Sequence, residues 1–272
     1  MLNEDSIKRF LGWNSEETGS FAVFRRTLKE LALKSDVSNR MRYDPVLQHI
    51  STNNLSDRPI LEIGSGSVGM SRYFKRSFVG ADLDFYGPGL PQLKKVKSDA
   101  TSLPFADNQF ELVLSVDMLE HVQPQLRPAV IKEMLRVSSR WAILGMPCGV
   151  LAEHWESKAR RYWKRKIDQQ KDSRKKEKLL YRGTFLNEHK DAGLPTEEEI
   201  MRSIEGAHPR RLEVRTHHSQ SVVVWLTLAL ANLRFSYLVW SVSLLLSNLF
   251  LPVLRRVTWV GPYRAFFIVK KD

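Results

Sequence analysis

The stretch ILEIGSGSVGM, residues 60–70, constrains this chain more than any other. An apolar run with the look of a buried strand meets Gly64, Gly66 and Gly69 in G-x-G-x-x-G spacing. That spelling marks a turn in which the backbone approaches a ligand closely at the start of a helix. Taken alone, it fits the pyrophosphate of a dinucleotide as well as any adenosine-bearing ligand. The surroundings must decide between them.

Strand and helix patterns alternate from here to residue 147. PILEIG, FVGADLD, LKKVKSDA, FELVLSVDML and RWAILGMP read as five strands, the fourth buried on both faces. MSRYFKRS reads as a short helix. QLRPAVIKEMLRVS reads as a longer one, with Val130, Met134, Leu135 and Val137 inward. Such alternation implies a parallel sheet with right-handed crossovers. Further on, GLPTEEEIMRSI predicts a helix with Thr196 as N-cap and Glu199 closing a capping box. RRLEVRTHH predicts a sixth strand. YRAFFIVKK predicts a terminal strand, with Phe266 and Ile268 on one face and Phe267 and Val269 on the other.

Ligands of an open α/β sheet bind where the strands end, near the reversal of strand order. Asp82 ends the second strand, 18 residues after Gly64, at the distance where a carboxylate can take ribose hydroxyls. Glu62 stands inside the turn, giving E-x-G-x-G; a carboxylate there repels a diphosphate and attracts a cationic ligand. Asp99 ends the third strand and is followed by a Leu-Pro-Phe loop.

These residues carry a resemblance. The run LEIGSGSVG, GADLD, SDATSLPFADNQFELVLSVDMLEHV and EMLRVS resembles class I S-adenosylmethionine-dependent methyltransferases, in the branch with a D-A-x-x-L-P-F stretch. The likeness covers residues 59–147 and extends to PYRAFFIVKK. It implies a Rossmann-like α/β fold, with a seven-stranded, mostly parallel sheet and an antiparallel C-terminal strand. It implies S-adenosylmethionine as cofactor. By it, Glu62 and the backbone at Gly64, Ser65 and Gly66 contact the methionine moiety. Asp82 takes the ribose hydroxyls, with Leu83 beside it; Asp99 takes the adenine amino group and Ala100 the ring through its N–H. Ser115 lines the methionine end. Two departures stand out: Val68 where the family has a third glycine, and SSRW where it has a Lys-Pro-Gly-Gly turn.

Methyl transfer by in-line displacement asks the protein to align donor and acceptor and exclude water, so no single catalytic side chain is obligatory. An oxygen acceptor also needs somewhere for its proton to go. His121 in MLEHV, His154 in LAEHWES and His189 in FLNEHKDAGLP are the candidates. A pocket-lining or structural role competes for the first, an exposed surface position for the other two. His217 and His218 are adjacent on a strand and face opposite ways, so they cannot ligate one ion together. No metal-ligand spacing is visible. Cys148 is the chain's one cysteine, which excludes an intramolecular disulfide, and MPCG supplies nothing to activate it.

The remaining segments point outward from the core. The organisation reads as a helical cap over 1–57, a cofactor-binding core over 58–149, a basic helical insertion over 150–194, a core helix and strand over 195–218, an apolar helical insertion over 219–258 and a terminal strand over 259–272. Of the formal net charge of +12, a net +9 lies in residues 158–182. Residues 235–254 run twenty positions without a charge. That length suffices to span a bilayer, and equally to lie on one as an interfacial hairpin or to form a buried lid or dimer contact. Together the basic and apolar segments point to peripheral membrane contact rather than nucleic acid. With no secretory signal in MLNEDSIKRF, the expected location is cytoplasmic, at the inner face of the membrane. The expected function is methyl transfer to a small-molecule, lipid or lipid-linked glycan acceptor. An RNA methyltransferase and a non-catalytic, cofactor-binding membrane adaptor are the alternatives. Oligomeric state leaves no mark in the sequence.

Overall fold

Short runs of aliphatic residues separated by glycine, proline and acidic turns set the strands. The computed structural model describes residues 37–87, 89–173, 176–177, 179–180, 189–207, 212–221, 225 and 261–271. Seven strands form one sheet: β1 (Ile60–Ile63), β2 (Phe78–Asp82), β3 (Leu93–Lys97), β4 (Phe110–Val116), β5 (Ser138–Pro147), β6 (Glu213–Ser221) and β7 (Pro262–Lys270). Their order is β3-β2-β1-β4-β5-β7-β6. Pairing is parallel from β3 through to β5, while β7 runs antiparallel to both β5 and β6. The α/β architecture expected from the sequence is the one observed.

Side-chain alternation along the strands splits the core into two layers. Leu61, Ile63, Val113, Ala142, Leu144, Phe267 and Val269 share one layer with Val130, Ile131, Met134 and Leu135 of α2 (Arg127–Val137) and with Ile200 and Ile204 of α4 (Glu197–Ala207). Ile60, Leu112, Leu114, Ile143 and Phe266 form the other, under Val46 and Ile50 of α1 (Val37–Thr52). All of these are at most 2% exposed, and each buried aliphatic side chain contributes roughly 1.5–3 kcal/mol. Within the basic insertion, α3 (Gly149–Gln169) buries Ala152, Glu156, Ala159 and Trp163, which recur on one helical face.

The capping box at α4 forms as predicted. The Glu199 N–H donates to Thr196 Oγ1 at 3.2 Å, and the Thr196 N–H donates to Glu199 Oε2 at 2.9 Å. The helix expected over MSRYFKRS contracts to one 3-10 turn, Gly69–Arg72. The chain has no room for more, because Phe74 and Phe78 both turn into the core, ring edge against ring face at 6.0 Å. Strand β6 runs on to Ser221, into the segment read from sequence as the start of an insertion. The rest of that apolar segment apart from Trp225, the first 36 residues, and Tyr181 of the basic block lie outside the described residues.

Strand order reverses between β1 and β4, so loops leaving these strands diverge and open a crevice at their carboxyl ends. The antiparallel β7 begins at that same edge, with Arg264 opposite Pro147 at the end of β5.

Candidate active site

The glycine loop leaves β1 directly into this crevice. Gly64, Gly66 and Gly69 all have positive φ, at 74°, 53° and 49°. A Cβ at Gly64 would lie 2.4 Å from Met118 Cγ, and one at Gly69 would lie 2.2 Å from Glu62 Oε2. Gly69 is therefore required where it stands, one residue beyond Val68, and the departure from the family's spelling has a local cause. Glu62 is fully buried. Its Oε1 accepts from the Tyr43 hydroxyl and its Oε2 from the Met70 N–H, both at 2.9 Å. The carboxylate thus braces the loop against α1 and supplies an acceptor at the head of the 3-10 turn. Burial pushes its pKa up to about 7, and the nearby Asp82 charge adds to the rise.

Asp82 closes β2, and its Oδ2 accepts from the Gly66 N–H at 2.7 Å. Leu83 beside it is 62% exposed, an apolar side chain left on the rim. Asp99 follows β3 and accepts through Oδ1 from the Thr101 N–H and hydroxyl at 2.8 and 2.7 Å; these bonds hold its carboxyl below the usual range. Ala100 follows it, half-buried. Ser65 turns its hydroxyl onto the Gly66 carbonyl. Ser115, near the end of β4, is 2% exposed, and its Oγ has no hydrogen-bond partner among the described residues. All nine residues assigned to cofactor binding from the sequence come to the carboxyl edge of three neighbouring strands and of β4.

A second constellation adjoins the first at the end of β4. The 3-10 turn Leu119–His121 presents Glu120 and His121, and the helical residues 189–192 bring in His189. The two imidazole rings lie 4.7 Å apart at 58°. Ligating atoms of Glu120, His121 and His189 all lie within 4.8 Å of one another. Behind them, buried Glu156 of α3 holds His189 Nδ1 at 2.9 Å and accepts from the Tyr263 hydroxyl at 2.5 Å. Burial raises the Glu120 carboxyl to about 8. Burial, helped by His189 and Arg42, lowers the His121 imidazole to about 4. His121 is thus neutral at physiological pH, the form in which an imidazole binds a cation.

The last anchoring contact joins three distant segments. Asp117, with φ of 54° just past β4, pairs with Arg42 of α1 at 2.9 Å and with the buried Arg264 of β7. Burial lowers the Arg264 pKa.

The structure brings His121 and His189 together but leaves His154 apart, its ring 5.8 Å from Trp155 on α3. His217 and His218 diverge as expected, the first toward Phe266 and the second onto Glu197 at 2.7 Å. Cys148 is buried with its thiol pushed up to about 12, chiefly by that burial, in keeping with the inert role expected. Trp163, within the basic block, is buried, and its Nε1 donates to the Leu179 carbonyl. Sequence reading missed Tyr43, Arg42, Asp117, Glu120, Glu156, Tyr263 and Arg264. Glu156 alone left a signal, an acid on the otherwise apolar face formed by Ala152, Ala159 and Trp163.

Comparisons with known proteins bear on the family and the fold. Residues 61–141 match the family model described as methyltransferase domain. The chain is 30% identical over 148 residues to phthiotriol/phenolphthiotriol dimycocerosates methyltransferase of Mycobacterium leprae, covering 50% of this chain and 51% of that protein. The protein of the same description from Mycobacterium tuberculosis is 31% identical over 149 residues, again with 51% of its length covered. The chain thus spans about half the length of these relatives. In fold it resembles the crystal structure of magnesium protoporphyrin IX methyltransferase from Synechocystis PCC 6803, solved with bound SAH. The TM-score is 0.50 and identity 10%, over 99% of this chain and 96% of that one. Among the described residues no helix is long and apolar enough to cross a membrane.

Proposed function

Starting from a chain whose residues 61–141 belong to the methyltransferase domain family, we propose that it is an S-adenosylmethionine-dependent methyltransferase acting on a hydroxyl of a lipid or small-molecule acceptor. One observation carries the reading: the Gly64–Gly69 loop and the carboxylates of Asp82 and Asp99 share the edge where strand order reverses. The residues fit the cofactor physically. The buried Ser115 Oγ lacks a hydrogen-bond partner among the described residues, and a Cβ at Gly66 would meet nothing within 4 Å, so the loop backbone is open on that side. When bound, S-adenosylmethionine supplies an electrophilic methyl group on a sulfonium.

The chain's own residues have positioning roles in this reading. Asp82 orients the ribose while its bond to Gly66 holds the loop in shape. Asp99, fixed by Thr101, receives the adenine amino group, and Ala100 supports the ring through its N–H. Glu62 holds the loop through Met70 rather than reaching the ligand with a bare carboxylate. At the acceptor end, the proton of the hydroxyl is handled by the cluster of Glu120, His121 and His189, whose exposed member is His121. The relatives act, by their names, on phthiotriol-type lipids, and that supports a hydroxylated lipid as acceptor class. The basic residues of α3 favour an acceptor offered at an anionic surface.

Calorimetry with S-adenosylmethionine tests the core. Wild type is expected to bind, and Asp82→Ala to bind at least about tenfold more weakly, the loss of charge-assisted hydrogen bonds. Equal binding by both removes the ribose assignment. Radiolabelled methyl transfer to hydroxylated lipids in anionic vesicles tests the acceptor. Incorporation into RNA instead would overturn the acceptor class.

A further inference from the structure

We propose that Glu120, His121 and His189 form a binding site for one divalent transition-metal ion of the zinc type at the acceptor end of the crevice. Two imidazoles and one carboxylate are the donor set that suits zinc where a coordination position is kept open. Their ligating atoms lie within 4.8 Å of one another, so small rotamer adjustments reach the roughly 3.3 Å separations of a tetrahedral shell.

The hydrogen bonds around His189 fix its ring for this role. Glu156 receives the Tyr263 hydroxyl and lies 3.5 Å from the Arg160 guanidinium, so its carboxylate is an acceptor. The Nδ1 of His189, 2.9 and 3.0 Å from the Glu156 oxygens, therefore carries the ring proton. The other ring nitrogen, Nε2, lies 4.0 Å from Glu120 Oε1. A cation between them would draw the two ligating atoms in from 4.0 Å toward the tetrahedral separation. A carboxylate behind a histidine, fixing its tautomer and orientation, is the usual outer shell of a zinc-binding imidazole.

Glu120 supplies the independent observation. It is 1% exposed, and its Oε2 has no hydrogen-bond partner among the described residues. An unpaired buried carboxylate oxygen costs desolvation energy that a bound cation offsets. His121 is the exposed member, so the open side of the ion faces the crevice. There the ion would take the acceptor's oxygen and lower the pKa of its hydroxyl, whose proton would leave to solvent through the open side. That use rests on the methyl-transfer reading; metal binding itself does not.

Cobalt(II) replaces zinc in such sites and reports its ligands by visible absorption, so the full chain is stripped with EDTA and titrated with cobalt(II). Expected are visible bands saturating at one equivalent and lost on adding zinc. His121→Ala, at an exposed position, should weaken cobalt(II) binding at least tenfold. Glu156→Gln should weaken it about 10–100-fold through the His189 ring alone. Absence of bands in wild type, or unchanged affinity in a His121→Ala chain with native circular dichroism, overturns the site. S-adenosylmethionine calorimetry on the stripped chain separates the two claims. Cofactor binding without cobalt(II) bands overturns only the metal site. Bands without cofactor binding overturn only the methyl-transfer reading.

Discussion

At the scale of single residues, Glu62 shows how one carboxylate can organise a loop. Its two oxygens tie α1 to the glycine turn through Tyr43 and Met70, and the lack of a Cβ at Gly69 makes room for it. Because burial raises its pKa to about 7, the native state holds this proton more tightly than the unfolded chain. The associated stability is present below pH ~4.5, the unfolded value, and is lost as pH rises through about 7. Glu62→Gln should flatten the wild-type fall in stability between these limits, by up to about 3 kcal/mol. Urea melts at pH 4.5 and 7.5 measure it, and an unchanged slope refutes the burial account. The sequence displayed Glu62 and its spacing to the glycines. It did not display Tyr43, because a hydrogen bond spanning 19 residues has no local pattern.

Among the elements, α4 was the most legible. Its capping box depends only on residues three apart, and Thr196 and Glu199 make both reciprocal bonds. Thr196→Ala should cost about 1 kcal/mol, read as a lower denaturant midpoint with an unchanged slope. A neutral substitution would mean that the tertiary packing of Ile200 and Ile204 alone sets the end of this helix. The 3-10 turn at Gly69–Arg72 was less legible, since periodicity over MSRYFKRS carries no account of where Phe74 and Phe78 must go. Helix α3 lies between these cases. Its charge was plain in the sequence, whereas its buried face of Ala152, Glu156, Ala159 and Trp163 gains its meaning from His189 and Tyr263.

For the whole molecule, Asp117 is the point where α1, the end of β4 and the start of β7 meet. It lies 147 residues from Arg264, yet the two form a pair just past the end of β4. Asp117→Asn leaves two guanidinium groups facing each other and should cost about 3–5 kcal/mol, more than Arg42→Ala, whose side chain is 38% exposed. Chemical denaturation of the two variants decides this; equal losses would mean that the pairing is not what holds the segments together. The sequence alone determined the strand and helix alternation, the glycine loop and the acids at successive strand ends, because each rests on spacings within a single βα unit. It also supported the family. Only the tertiary structure decided that Glu62 faces a tyrosine, that His121 meets His189 while His154 stands apart, and that Glu120 joins them. Tyr43 comes from α1 and His189 from the helical segment after β5, so the packing of those helices on the sheet brings the partners to one edge. Local periodicity records which face of an element is buried, not which other element will cover it.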